Sequence, residues 1–365
     1  MTIDQHVKGR QIELAQRIRN VKKIYLDTRF WIIARDVSQG TDSRPAAIDL
    51  TRLLRGGVAA GHIVCPISES TFAEVLKQAP TPSRRLASAA LIDELSGGVS
   101  ITTSRSRVGT EIAHFFYRNS GQKNLHDLQD LVWTRLSYAM GYLHPALDTL
   151  DAAAALQIQR DVFDTIWSRP LVEVMPTIGA DAMQQEVKNL TELARRQDAQ
   201  IKAHEVDLVS FEQTYRDEVR GALDAAESSI AEVLGGMAER AGFESVPPGS
   251  AEQREFAIVA RNLLAVAFEK GLAQDTLRTI HAQASLHAGL RWNKRTTFDA
   301  NHFYDFEHAA AAVAYCDAFF TEGFLSNLIN ARHIRLDTVN NCRTTNDLDR
   351  AIEILRGVGC GPNSE

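Results

Sequence analysis

Strand signals occupy only the two ends of this 365-residue chain, and the long stretch between them carries none that is convincing. Near the amino end, Lys23-Ile24-Tyr25-Leu26-Asp27 reads as a short buried strand ending in an acid. His62 to Ile67 and Val99 to Thr102 read as two more strands. Helices are expected over residues 4–20, 45–60, 70–78 and 83–96, with Pro45 opening one, Ser68 capping another and Gly97-Gly98 closing a third. Near the carboxyl end, 305–315 reads as an Ala-rich helix, 317–321 as a strand, 323–330 as a helix and 333–336 as a fifth strand. A helix over 346–356, capped by Thr344 or Thr345, closes the chain. Alternation of this kind predicts a parallel α/β sheet of about five strands. The sheet must be completed by segments some two hundred residues apart. The expected organisation is therefore a discontinuous α/β domain, 1–118 with 300–365, interrupted by a helical insertion over 119–299.

Within that insertion, apolar residues recur at helical spacing over 127–142, 147–167, 183–237 and 254–290. Met183, Val187, Leu190, Ala194, Gln197, Ile201, His204, Leu208, Phe211 and Tyr215 alternate steps of four and three. No Gly or Pro falls between Ala180 and Arg220, so the pattern predicts one long helix of roughly 60 Å at 1.5 Å per residue. Such a helix serves either an intramolecular bundle or an arm for homodimerisation or substrate gripping.

Composition narrows the function. The net charge of −6 leaves no bulk basic field, so contact with a polyanion must come from local patches. The four cysteines include no CxxC pair and no zinc spacing, which favours reduced thiols and a cytoplasmic setting. The charged amino-terminal segment has no apolar core of a signal peptide, and no apolar run reaches the length of a membrane span. The glycine-rich dinucleotide and phosphate loops and the serine-hydrolase elbow are absent. A dehalogenase-type phosphatase needs a second Asp two residues after the first, where Arg29 stands.

Parallel α/β sheets bind ligands beyond the carboxyl ends of their strands. Asp27 ends the first strand, Glu74 lies in the helix after the second, and Asp305 opens the helix leading into the fourth. Carboxylates converging there would repel one another unless a hard cation such as Mg²⁺ or Mn²⁺ sat among them. Glu69 is the rival to Glu74. His308, one turn after Asp305, is a candidate for proton transfer or a phosphate contact. Thr28 and Thr321 are candidates to orient metal-bound water, and Arg291, Lys294 and Arg295 around Trp292 to grip a backbone and stack a base.

The stretches IYLDTRFW, CPISESTFAEVLK and FYDFEHAAAAVAYCDAFFTEGF resemble the signature segments of PIN-domain nucleases. The resemblance covers roughly 22–118 and 300–356, and its last stretch is the most specific. It implies a PIN-like fold, with Asp27, Glu74 and Asp305 as the first, second and third acids of a metal-dependent site. It implies an endoribonuclease rather than a DNase, and, since many small members are toxins, an inhibitor protein as a partner. The family often has a fourth acid two residues after the strand-ending Thr; here that position is Gly323, with Glu322 and Asp317 as substitutes. The competing expectation is a catalytically inactive PIN-like scaffold that binds RNA or protein.

Overall fold

The computed structural model describes residues 2–78, 81–142, 144–147, 149–175, 181–203, 208–244, 246–247, 249–293 and 297–360, with the side chains of 76–78, 181–189, 200 and 360 outside that description. Four strands form a parallel sheet: β1 (Lys22–Leu26), β2 (Ile63–Val64), β5 (Ala318–Phe320) and β6 (Arg343–Thr345), in the order β2-β1-β5-β6. The two ends of the chain meet at its centre, where Ile24 pairs with Ala318 and Leu26 with Phe320.

The period of two along a strand sorts side chains between two cores. Ile24, Leu26, Ala318 and Phe320 face α2 (Thr28–Ser38), α3 (Pro45–Ala59), α5 (Pro82–Ser96) and α16 (Leu348–Leu355). Tyr25 and Phe319 face the other way, onto α14 (Asn301–Tyr315). Ala309 to Ala312 of α14 are fully buried there, because methyl groups alone allow a helix to lie so close to both the sheet and α13 (Arg278–Trp292). A third core joins α6 (Ser104–Asn119) to α10 (Phe211–Ala225), α11 (Glu227–Arg240), α12 (Ala251–Glu269) and α13. Cys65, Cys316 and Cys342 are buried and stand outside any disulfide. No helix among the described residues is long and apolar enough to cross a membrane.

Several expected elements differ. The third strand, β3 (Val99–Ile101), makes one parallel bridge, Ser100 to Ile67, but does not join the ladder of the parallel sheet; it pairs antiparallel with β4 (Trp133–Arg135) in a sheet of two. β4 lies in the stretch 127–142 expected to be helical, which instead holds this strand between two short 3-10 turns. Trp133 is almost wholly buried, so packing overrode a weak helical pattern. The long helix over 180–220 is broken: α9 (Asp181–Ala203) stops, and α10 starts afresh at Phe211 behind Ser210. Ser210 is extended and its hydroxyl accepts from the Gln213 amide, a local bond that competes with helix continuation. Ala194 of the expected seam is buried in the core under α14, so the seam packs within the chain there. Residues 333–336 form no strand; a turn leads there into a 3-10 helix over Leu336–Thr338, and the fourth sheet strand is β6. Asp347, rather than Thr344 or Thr345, caps α16.

A candidate acidic site at the carboxyl edge of the sheet

Asp27 follows β1 and caps α2: its carboxylate accepts the Arg29 amide at 2.9 Å, while its own amide donates to the Phe320 carbonyl at 3.0 Å. The second bond ties it to the end of β5 and brings Thr321 and Glu322 alongside. The buried Thr321 hydroxyl lies near enough to hold the Asp27 pKa down somewhat, yet it makes no regular hydrogen bond. Glu74 comes from α4 (Glu69–Gln78), which packs on α14. Asp305 sits in the second turn of α14, not at its opening, one turn before His308.

Burial is the largest influence on the charge state of the two aspartates, with Thr321 and His308 working against it and neighbouring carboxylates adding to it. Burial raises Asp27 to about 6, with Glu322 adding to the rise and Thr321 and His308 opposing it. Burial raises Asp305 to about 7; His308 opposes the rise, while Glu74, Glu322 and Asp27 add to it. Asp27, Glu74, Asp305 and Glu322 therefore share one field at the carboxyl edge of the sheet.

His308 is enclosed. Its Nδ1 bonds to the Tyr25 hydroxyl at 2.8 Å and its Nε2 to Glu74 at 2.9 Å. Burial disfavours its charge, but Tyr25 and Glu74 outweigh burial and hold its pKa well above the usual histidine range. The Thr28 hydroxyl donates to the same Glu74 oxygen that meets His308. With both ring nitrogens engaged, His308 balances charge and positions Glu74. Proton transfer, the role considered for it from sequence, would need one of those bonds broken.

Other expected site residues lie elsewhere. Asp317 is at the amino end of β5, bonded to the Lys22 ammonium at 2.8 Å and the Lys23 amide at 2.9 Å. Four residues of strand, roughly 13 Å, separate it from Thr321, so it cannot stand in for the fourth acid. Glu322 is the substitute whose field reaches both aspartates. Arg291 forms an ion pair with Glu218 of α10, which commits its guanidinium to the helical core instead of a substrate. Lys294 and Arg295 lie outside the described residues. Glu69 starts α4 and accepts the Ser104 amide at 2.6 Å, tying α4 to α6.

Three residues of the site escaped the sequence reading. Tyr25 also bonds Ser68 at 2.6 Å and Thr71 at 3.0 Å, so a buried polar chain runs from these hydroxyls through Tyr25 and His308 to Glu74 and Thr28. The signal was a tyrosine in the middle of a buried strand, whose hydroxyl must find a partner.

Among the described residues, no three His, Cys, Asp or Glu side chains stand close enough together to share one ion. The described residues thus form no cage of protein ligands alone. The donors fit a looser arrangement, in which Mg²⁺ keeps several waters and uses one or two carboxylates plus the phosphate of a substrate. In comparisons with known proteins, no family model, no curated sequence and no solved structure matches this chain.

Proposed function

We propose that this protein is a Mg²⁺- or Mn²⁺-dependent nuclease that hydrolyses phosphodiester bonds, an endoribonuclease in preference to a DNase, with a PIN-like domain. One observation carries the reading: Asp27 and Asp305 are both buried at the carboxyl edge of the sheet, where burial raises Asp305 to about 7 and Glu74, Glu322 and Asp27 add to the rise, an arrangement suited to a proton or a cation. Both would hold the ion. Thr321 would direct its hydroxyl at a bound water, and Glu322 would complete the acidic rim. Glu74, fixed by Thr28 and His308, keeps its charge compensated until a substrate arrives. When bound, the ion would polarise the phosphate and lower the pKa of its own water. The preference for RNA, the toxin role and an inhibitor partner rest on the resemblance of the signature segments alone.

Cleavage of end-labelled RNA and DNA with Mn²⁺ tests this, using wild type, Asp27→Asn and Asp305→Asn. Loss of cutting in folded variants supports the enzyme; a wild-type chain that cuts neither polymer sinks it. The competing scaffold reading has its own observations, Gly323 at the fourth acid position and the lack of a three-ligand set. It predicts RNA or protein binding that survives both substitutions. For a homodimer through the insertion, the face two copies would bury is the outer stripe of α12, where Phe256, Val259, Leu263 and Val266 are all exposed. Light scattering decides it: a monomer at micromolar concentration rules the dimer out.

A further inference from the structure

On the opposite edge of the sheet, α1 (Ile3–Ile18) feeds the amino end of β1 and packs against β4 and α7 (Ala152–Trp167). These elements line a cavity of about 540 Å³ with Arg10, Arg17, Arg135, Glu13, Gln16 and Ser168 around a floor of Leu14 and Trp167. That volume is within the range of small-ligand pockets. β1 alone spans roughly 17 Å, so the cavity and the acidic edge are well separated.

Charge is the unusual feature. Three arginines against one glutamate leave the lining at +2. Arg10 is the most committed of the three: it meets Glu13 at 2.8 Å and Asp164 of α7 at 3.2 Å. Counting Asp164 still leaves a positive site. Among the described residues neither Arg17 nor Arg135 has a carboxylate within ion-pair distance. For Arg17, an exposed residue at the last turn of a helix, this is ordinary. For Arg135 it is not.

Arg135 is half-buried, and its Nε is enclosed with no hydrogen-bond partner. Its Nη1 donates to the Gly97 carbonyl at 3.0 Å. Gly98, with φ +77°, passes so close that a Cβ there would stand 2.7 Å from that nitrogen. The glycine turn therefore seats the guanidinium in one place. Burial lowers its pKa, and Arg17 and Arg10 lower it further, with no acid acting in the other direction. An ordinary solvated arginine face does not look like this: it exposes its guanidiniums and alternates them with acids along the helix. A seated, partly desolvated guanidinium flanked by two more cations calls for an anion.

We propose that the cavity of Arg10, Arg17 and Arg135 is a binding site for a phosphate dianion, carried as a terminal phosphate or pyrophosphate group on a small molecule or a nucleotide end. The fork of Arg135 would meet two phosphate oxygens, and Arg17 would close over them from solvent. Gln16 and Ser168 add neutral donors at the rim. The proposal is independent of the nuclease reading, since none of these residues belongs to the acidic edge.

Titration calorimetry with pyrophosphate on the full chain tests it. EDTA is present so that no ion bridges the ligand to the carboxylates, and chloride is matched for ionic strength. The expected result is one site per chain, weakened tenfold or more by Arg135→Gln and several-fold by Arg17→Gln. If Arg135→Gln fails to fold by circular dichroism, Arg17→Gln decides alone, because its side chain is exposed. Equal affinity in wild type and the folded variants overturns the proposal, as does pyrophosphate binding no better than chloride. Competition separates the sources. Displacement by a 5′-phosphorylated tetranucleotide but not by its hydroxyl-ended form assigns a nucleic-acid end, and displacement by neither assigns a small molecule. Equal displacement by both means backbone contacts, which defeats the terminal-phosphate assignment.

Discussion

Asp305 is an aspartate that keeps its proton to about pH 7 in the folded chain, whereas an unfolded aspartate gives it up near 4. Between those values the folded state binds more protons than the unfolded state, so stability is full below about pH 4 and falls as pH rises through 7. Asp305→Asn removes the charge that causes the loss. The substitution should stabilise the metal-free protein by on the order of 2 kcal/mol at pH 8 and by almost nothing at pH 4. Thermal unfolding at the two pH values checks this, and equal melting shifts at both would refute the raised pKa. Glu74 should behave in the opposite sense. Glu74→Gln leaves the buried His308 cation without its counter-charge, at a cost of about 3 kcal/mol. Denaturant titration at pH 7 would show it as a lower midpoint, and an unchanged midpoint would mean that His308 is neutral.

At the scale of the element, helix α13 shows how little space a crossing leaves. Gly289 faces Leu328 and Ile334, and a Cβ there would overlap both side chains. Its backbone is ordinary helix, so Gly289→Ala gains helix propensity and still loses overall. The expected net loss is about 1–2 kcal/mol, from side chains forced out of place. A variant more stable than wild type would show that 328 and 334 can move aside. Ser210 marks the same scale for a boundary. The apolar spacing from 183 to 215 runs straight through it, but a hydroxyl that satisfies one of the orphan amides of α10, that of Gln213, decides in favour of a new start.

At the scale of the whole molecule, two sites of opposite charge stand at the two edges of the sheet. The carboxyl edge of the sheet gathers Asp27, Glu74, Asp305 and Glu322, while the amino end of β1 lies beside Arg10, Arg17 and Arg135. A cation that displaces protons from the acidic edge must bind more tightly as pH rises through the range of the two aspartates. Mn²⁺ should therefore raise the melting temperature by several degrees at pH 8 and by little at pH 5, with proton release detectable by calorimetry in two buffers of different ionisation enthalpy. A melting shift independent of pH would place the ion somewhere other than Asp27 and Asp305.

Local signals decided the parts that depend on neighbours in sequence. The run Ile24 to Leu26 with its terminal acid, the proline that opens α3, the left-handed Gly97 that ends α5 and the alanine-rich α14 all act over a few residues, so each could be read directly. What lay beyond that reach was partnership. Nothing near Val99 says that it pairs with Arg135 in a separate antiparallel sheet, or that Thr344, and not Ile334, extends the main one. The same limit governed the site. The sequence named Asp27, Glu74, Asp305 and Glu322 as candidates. Only the meeting of β1 and β5, nearly three hundred residues apart, put them in one field, sent Asp317 to the far end of the strand and closed His308 between Tyr25 and Glu74. Burial and Coulomb interaction act through space, and a pKa or an ion pair is fixed by the distance between side chains, whatever the number of residues that separates them.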